Sequence, residues 1–198
     1  MRKWIIPVVI IVILVIWSVS SYNGLVGVRA DTKTAWADVE SSYQRRNDLI
    51  GNLVKTVQGA ADFERGTLTD VIEARAKATS VTVDPANITP EQLAQFQQAQ
   101  QGVSGALSRL LVSVERYPDL KANQNFLALQ SQIEGTENRI NVARDRFNES
   151  ANVYDKKKHS FPTVIFAGLF GFEDIPRFKA EAGAEKAPEV EFNFNDKK

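Results

Sequence analysis

The sequence contains no cysteine and a single histidine, His159. Without cysteine the chain has no disulfide framework, no thiol nucleophile, no cysteine-ligated zinc and no cysteine for attachment of a lipid. A zinc site built on a histidine pair is excluded, and a Ser–His–acid triad would have to use His159. Ser160 adjoins it, but adjacent residues do not form an oriented nucleophile–base pair. We therefore expect neither an enzyme nor a cofactor.

The chain also lacks an excess of charge of either sign. It has 198 residues, with 24 basic and 24 acidic side chains and a formal net charge of zero. Nucleic-acid binding requires a basic face that replaces counterions, so the composition argues against such a partner. The length is sufficient for one domain of ordinary size.

The N-terminal stretch "MRKWIIPVVIIVILVIWSVSSY" carries no charge after its first three residues. The uncharged run extends to Val28 and is long enough to cross a hydrocarbon core of about 30 Å as a helix. Trp4 and Tyr22 are separated by a helix rise of roughly 27 Å, which places one ring near each interface, and Trp17 lies about one turn before Tyr22. The sequence predicts a membrane anchor over residues 1–23.

A cleaved signal peptide is the alternative for this N-terminus, because Ser18-Val19-Ser20 has the small-x-small pattern of a cleavage site. For an anchor, Arg2 and Lys3 favour a cytoplasmic N-terminus and an exported domain. Four basic residues beyond the span weaken this bias: Arg29, Lys33, Arg45 and Arg46. We expect a single-pass protein of the bacterial cell membrane whose domain is exported.

Residues 24–160 show helical periodicity. Apolar and small residues recur at spacings of three and four from Leu25 to near Gly59, with no clear breaker between this helix and the anchor. A second helix is predicted from Phe63 to about Thr79, with Asp62 as its cap. A break between the two helices and one continuous helix both remain open.

Two later helices have clear sequence signals. "TPEQ" predicts a helix start, with Thr89 as N-cap, Pro90 in the first turn and Gln92 completing a capping box. Pro118 is predicted to end this helix and begin the last one.

The last helix carries a heptad repeat. Large residues recur every seven positions, and smaller ones follow three positions later: Phe126, Ile133, Ile140, Phe147 and Tyr154, with Leu129, Thr136, Ala143 and Ser150. This pattern is typical of a coiled-coil seam. We expect an all-α protein: a transmembrane helix, an antiparallel up-and-down bundle of four long helices, and a short apolar helix.

Polar residues beside these stripes form a candidate interhelical network. Its members are Arg46, Asp48, Asn52, Glu137 and Arg144. Di-metal bundles need Glu-x-x-His repeats on facing helices, and the sequence contains none. The favoured interpretation is a salt-bridge network that fixes helix register, with an Arg46–Glu137 pair as its centre. A ligand site of carboxylates and arginines is the alternative.

The stretch "FPTVIFAGLFGF" directly follows the polar "YDKKKHS". Twelve residues are too few to span a bilayer as a helix, so we predict a short helix from Thr163 to about Phe170, ended by Gly171. The apolar unit is assigned to residues 161–178 and a flexible polar tail to residues 179–198. Its large side chains could pack on the bundle, contact a partner or touch lipid: Phe161, Phe166, Leu169, Phe170 and Phe172. In an up-and-down bundle of four helices this segment returns to the membrane, with its lysines at headgroup level.

Several segments together resemble the LemA family. They are "YNGLVGVR", "AWADVE", "RRNDLIGNLVKTV", "YPDLKANQNFLALQSQIEGTENRINVARDRFN", "SFPTVIFAGLFGF" and "APEVEF". The resemblance implies an N-terminal anchor and a four-helix-bundle domain, with no established enzymatic activity. It also implies associations with membrane-embedded metalloproteases in some relatives and with magnetosome formation in one branch.

The sequence departs from the family pattern at two places. Gly51 stands where a proline is usual, and Phe63 stands where a histidine is usual. A role that depends on that histidine does not carry over. We expect a non-enzymatic membrane-anchored scaffold with the lipid bilayer and further copies of itself as partners. The alternative is an accessory factor for a membrane protease or an envelope stress response, with another membrane protein as partner.

Overall fold

The computed structural model describes residues 4–59 and 63–179. Helices account for 82% of these residues, and none of them lies in a strand. The all-α class predicted from the sequence is confirmed. The helices are α1 (Ile5–Gln58), α2 (Arg65–Ser80), α3 (Pro90–Val114), α4 (Pro118–Lys121), α5 (Gln124–Lys158) and α6 (Thr163–Leu169).

Helix α1 joins the apolar N-terminal segment to the first helix of the domain without interruption. Its 54 residues correspond to a rise of about 80 Å. Neither Gly24 nor Gly27 breaks it, because a single glycine weakens a helix without removing a hydrogen bond. Within residues 4–59 and 63–179 it is the one helix that is long and apolar enough to cross a membrane.

A break separates α1 from α2. Helix α1 ends at Gln58, and α2 begins at Arg65, two residues later than predicted. The proposed cap, Asp62, lies outside the described residues. Phe63 is buried, with its ring 4.9 Å from that of Tyr117. This contact places the start of α2 beside the residues that follow α3.

The start of α3 follows the sequence prediction, but its end does not. Thr89 and Gln92 form the capping box. The prediction that Pro118 begins the last long helix is wrong, because Pro118 begins the four-residue α4. Helix α5 begins after Asn123, whose side chain accepts from the backbone N–H groups of Asn125 at 2.9 Å and Phe126 at 3.2 Å. This cap supplies a second helix start.

Helix α5 runs antiparallel to the part of α1 beyond the apolar segment. The Thr32 and Ser150 hydroxyls are 3.0 Å apart, and Arg46 contacts Glu137 at 2.8 Å. The residue number thus falls along α5 as it rises along α1. The C-terminal end of α5 consequently lies beside residues 21–28 of α1.

Helices α2 and α3 form a second antiparallel pair. Arg109 lies 3.7 Å from Asp70, and Arg116 lies 2.9 Å from Glu64. Arg75 of α2 donates to the carbonyl of Asn47 on α1 at 2.8 Å, so α2 also faces α1.

The heptad positions of α5 supply much of the core. All five large seam residues are buried, and so are Thr136 and Ala143, whereas Leu129 and Ser150 are half-buried. The seam therefore packs on helices of the same chain. An aromatic cluster surrounds Trp36, whose ring contacts Phe96 and Phe147 at 5.3 Å.

Candidate functional site

Arg46 is the centre of a polar network between three helices. It lies on α1, and only 2% of its side chain is exposed. Nη1 donates to the Glu137 carboxylate of α5 at 2.8 Å and to Ser104 Oγ of α3 at 3.1 Å. Nη2 donates to the Gln100 side-chain oxygen of α3 at 2.6 Å. Because buried cations need such partners, this set fixes the mutual register of α1, α3 and α5.

A cleft of about 230 Å³ opens beside this network. Tyr43 and Arg144 line it together with Arg46 and Glu137. Burial raises the pKa of the Tyr43 phenol, while the Arg144 and Arg46 cations act in the opposite direction. A phenol with a raised pKa stays protonated at neutral pH and donates a hydrogen bond rather than accepting a proton. The cleft can hold polar groups.

Two members of the predicted network lie elsewhere. Asp48 is exposed and lies 4.0 Å from Arg75, and Asn52 is exposed on α1. Two and six residues after Arg46 correspond to helix rotations of about 200° and 240°, which turn these side chains to another face. Arg144 lies near the network, with its guanidinium carbon 4.8 Å from the Phe178 ring centroid.

The aromatic residues predicted for the anchor are all exposed on the N-terminal helix and its start: Trp4, Trp17 and Tyr22. Tyr22 also contacts the C-terminal segment, with its ring 5.2 Å from Phe170 and 5.8 Å from Phe172. The end of the apolar segment and the vicinity of α6 therefore lie side by side.

Helix α6 has one buried face and one exposed face. Thr163 and Ala167 are buried, and Phe172 beyond the helix packs with Leu25 and Tyr154. Of the other apolar residues singled out from the sequence, Phe166 is half-buried, while three are exposed: Phe161, Leu169 and Phe170.

Sequence reasoning missed the role of the segment after α6. The sequence predicts an apolar helical unit over residues 161–178, but residues 172–179 are non-helical and contact α5. The Phe178 N–H donates to Asn148 Oδ1 at 2.8 Å, and Asn148 Nδ2 donates to the Phe178 carbonyl at 3.1 Å. Tyr154 donates to the Glu173 carbonyl at 2.8 Å. The sequence signal for this non-helical, packed segment is the pair of apolar residues Ile175 and Phe178 on either side of Pro176.

A family model now adds to this geometry. The model for the LemA family matches residues 35–192, which is well over half of the chain. The chain belongs to the LemA family. The resemblance stated from the sequence is confirmed.

Similarity to individual family members extends along most of the chain. The magnetosome protein MamQ of Magnetospirillum gryphiswaldense is 26% identical over 174 residues, covering 79% of this chain and 64% of that protein. Magnetosome protein MamQ 2 of Paramagnetospirillum magneticum is 24% identical over 181 residues, covering 83% and 66%. Protein LemA of Metamycoplasma hominis is 24% identical over 158 residues, covering 80% and 68%. The chain spans slightly less than two thirds of the length of the MamQ proteins.

The two departures from the LemA pattern have clear structural settings. Phe63 fills an apolar site against Tyr117. At Gly51, an added Cβ would stand 3.3 Å from the guanidinium carbon of Arg75. Glycine thus leaves room for the Arg75 side chain, which binds the carbonyl of Asn47.

Proposed function

We propose that the chain is a single-pass membrane protein whose helical domain acts as a non-enzymatic scaffold. The continuous α1 carries this proposal, because its N-terminal half exposes an unbroken apolar surface and its C-terminal half lies in the domain core. An apolar helix surface of this length is expensive in water and favourable in lipid. The aromatic residues Trp4, Trp17 and Tyr22 would anchor its two ends.

The proposed architecture is an up-and-down bundle standing on the membrane. The antiparallel pairs α1–α5 and α2–α3 support it, as does the contact between α1 and α2. In this arrangement α1 leads away from the bilayer, and α5 returns to it. The exported orientation rests on Arg2 and Lys3.

The anchor is tested by extraction of bacterial membranes at alkaline pH. The full-length chain is expected to stay in the membrane pellet with its N-terminal segment intact. Soluble protein with an N-terminus near Ser21 would show that the segment is a cleaved signal peptide. Replacement of Ile11 and Leu14 by aspartate is the matched variant, and it is expected to release the chain because charges at a bilayer centre are costly.

Self-association of the bundle is the second part of the proposal. Similarity to two relatives that are named as magnetosome proteins supports a structural role. Chemical crosslinking at native expression is expected to give homo-oligomers that persist when residues 4–23 are replaced by an unrelated apolar helix. Monomer alone argues against a scaffold, and a crosslink to a different membrane protein favours the adaptor role.

A further inference from the structure

Helix α6 lies at the height where α1 would leave the bilayer. Ala167 of α6 packs with Leu25 of α1, and the Phe170 ring lies 5.2 Å from that of Tyr22. The first charged residue of α1 after the apolar segment is Arg29. Arg29 lies seven positions after Tyr22, a helix rise of about 10 Å. This rise along α1 is comparable to the depth below the membrane surface at which interfacial helices lie.

The outward face of α6 is entirely apolar. Ile165 and Leu169, spaced by four, form it and are 61% and 77% exposed, and Phe161, which precedes the helix, is 76% exposed. Residues at such spacing share one side of a helix. The opposite side, Thr163 and Ala167, is buried on the bundle. The exposed apolar surface of α6 thus adjoins that of α1 at Tyr22, which is 44% exposed and whose ring lies 5.2 Å from that of Phe170.

Positive charge flanks this surface. Lys157 crosses α1 at Gly24, where its Nζ stands 2.7 Å from the position of an added Cβ. Lys156 is exposed beside it, and neither lysine forms an ion pair among the described residues. The nearby acids Asp155 and Asp174 pair with Arg177 and Lys158, and Glu173 is exposed without an ion pair among the described residues. Such lysines suit phosphate groups at the membrane surface.

We propose that α6 is a second membrane contact, which lies in the headgroup region of the same bilayer that α1 spans. Phe161, Ile165 and Leu169 enter the lipid, and Lys156 and Lys157 bind anionic headgroups. This inference rests on the proposed anchor. Lipid is the occupant because the face continues the surface of the apolar helix at the same height. The bundle would then be held at two points and could not tilt freely about α1.

The absence of native cysteine allows a direct measurement of depth. A nitroxide is attached to Leu169→Cys in the full-length chain, reconstituted in vesicles of phosphatidylethanolamine and phosphatidylglycerol. Collisions with oxygen, which concentrates in lipid, are compared with collisions with a water-soluble nickel complex. Val112→Cys on α3 is the matched control, because Val112 is apolar and 72% exposed. A nitroxide on Ile11→Cys reports whether the proposed span lies in lipid.

The Leu169 label is expected to have an oxygen-to-nickel collision ratio several-fold above that of the Val112 label. If the Leu169 label matches Val112 while the Ile11 label is in lipid, the α6 proposal fails and the anchor stands. If the Ile11 label is also accessible to nickel, the anchor itself fails. Spin–spin broadening at Leu169 that disappears on dilution with unlabelled chain would assign the face to a second copy and overturn the proposal.

The lysines are tested in the same labelled chain. Adding phosphatidylglycerol to vesicles of phosphatidylcholine is expected to raise the oxygen-to-nickel ratio at Leu169. In the K156Q/K157Q variant this dependence on anionic lipid is expected to disappear. An unchanged dependence would overturn the assignment of these two lysines.

Discussion

At the scale of single residues, Arg46 shows how a charged side chain can belong to a core. The sequence places it on an otherwise apolar stripe, and the structure surrounds it with Gln100, Ser104 and Glu137. Burial of a guanidinium without partners would be strongly unfavourable. The network therefore acts on register, because a shift of one helix against another would leave the cation unpaired.

We expect Glu137→Ala to reduce the free energy of unfolding by about 2 kcal/mol, since it leaves a buried cation without its carboxylate, although Glu137 is partly exposed. In a double-mutant cycle with Arg46→Ala the two effects should differ from additivity by about 1 kcal/mol or more. Unfolding is followed by circular dichroism of the full-length chain in mild detergent. Asp48→Ala is the control, with an expected change within about 0.5 kcal/mol. Additive effects would show that Arg46 and Glu137 do not interact.

Asn148 and Phe178 mark the limit of prediction at this scale. Asn148 lies near the heptad seam, where an asparagine side chain can join a polar network, cap a helix or contact solvent. Only the folded chain brings the backbone of Phe178 within reach of both its polar atoms. Thirty residues separate the two, so no local pattern specifies the contact.

At the scale of elements, local chemistry determines where several helices begin. The capping box of Thr89 and Gln92 satisfies backbone donors within one turn and is therefore readable from sequence. The sequence predicts that the last long helix begins at Pro118 rather than after Asn123, because both residues have the properties of helix starts. The chain uses both, with α4 between them.

The end of α5 is tied to the segment after α6 by an ion pair that depends on pH. Lys158 donates to the Asp174 carboxylate at 2.6 Å, which lowers the pKa of Asp174 from 3.8. A carboxyl whose pKa is lower in the folded chain stabilises it above its unfolded pKa. This contribution is lost as the pH falls through the folded pKa, below 3.8.

Asp174→Asn is accordingly expected to destabilise the chain slightly at neutral pH, by no more than about 1 kcal/mol because the carboxylate is largely exposed. The difference in the free energy of unfolding between Asp174→Asn and the unchanged chain should shrink as the pH is lowered below about 4. Urea unfolding across a pH series measures it. Asp145→Asn is the control, because Asp145 lies on the exposed face of α5 and forms no ion pair among the described residues. A difference that grows in acid would contradict the assigned sign.

At the scale of the whole molecule, continuity of α1 couples the proposed span to the bundle. Tyr22 lies at the end of the proposed span, and Phe170 is held by the bundle. Their ring contact therefore reports how the span is rotated about its axis relative to the bundle. A helix transmits rotation because each residue is fixed at about 100° from the last. The domain would therefore present a defined face to the membrane.

One alanine inserted between Gly27 and Val28 is expected to rotate Tyr22 by about 100° away from α6. A short bismaleimide should link Tyr22→Cys to Phe170→Cys in the parent chain and react several-fold less efficiently after the insertion. An alanine inserted between Val12 and Ile13 is the control, because it leaves every residue from Ile13 onward in place. Equal crosslinking in all three chains would mean that α1 absorbs the insertion locally.

The sequence alone determined features that depend on neighbours along the chain. The all-α class, the apolar helix and the capping box follow from side-chain type and spacing, and the motifs also identified the LemA family. The tertiary structure decided which surfaces meet. It turned the heptad seam inward, excluded Asp48 and Asn52 from the Arg46 network, and placed α6 beside Tyr22. These outcomes depend on the angle at which distant segments pack, and periodicity does not specify that angle. A helical stripe shows that one face of a helix is apolar, but it does not show which element packs on that face.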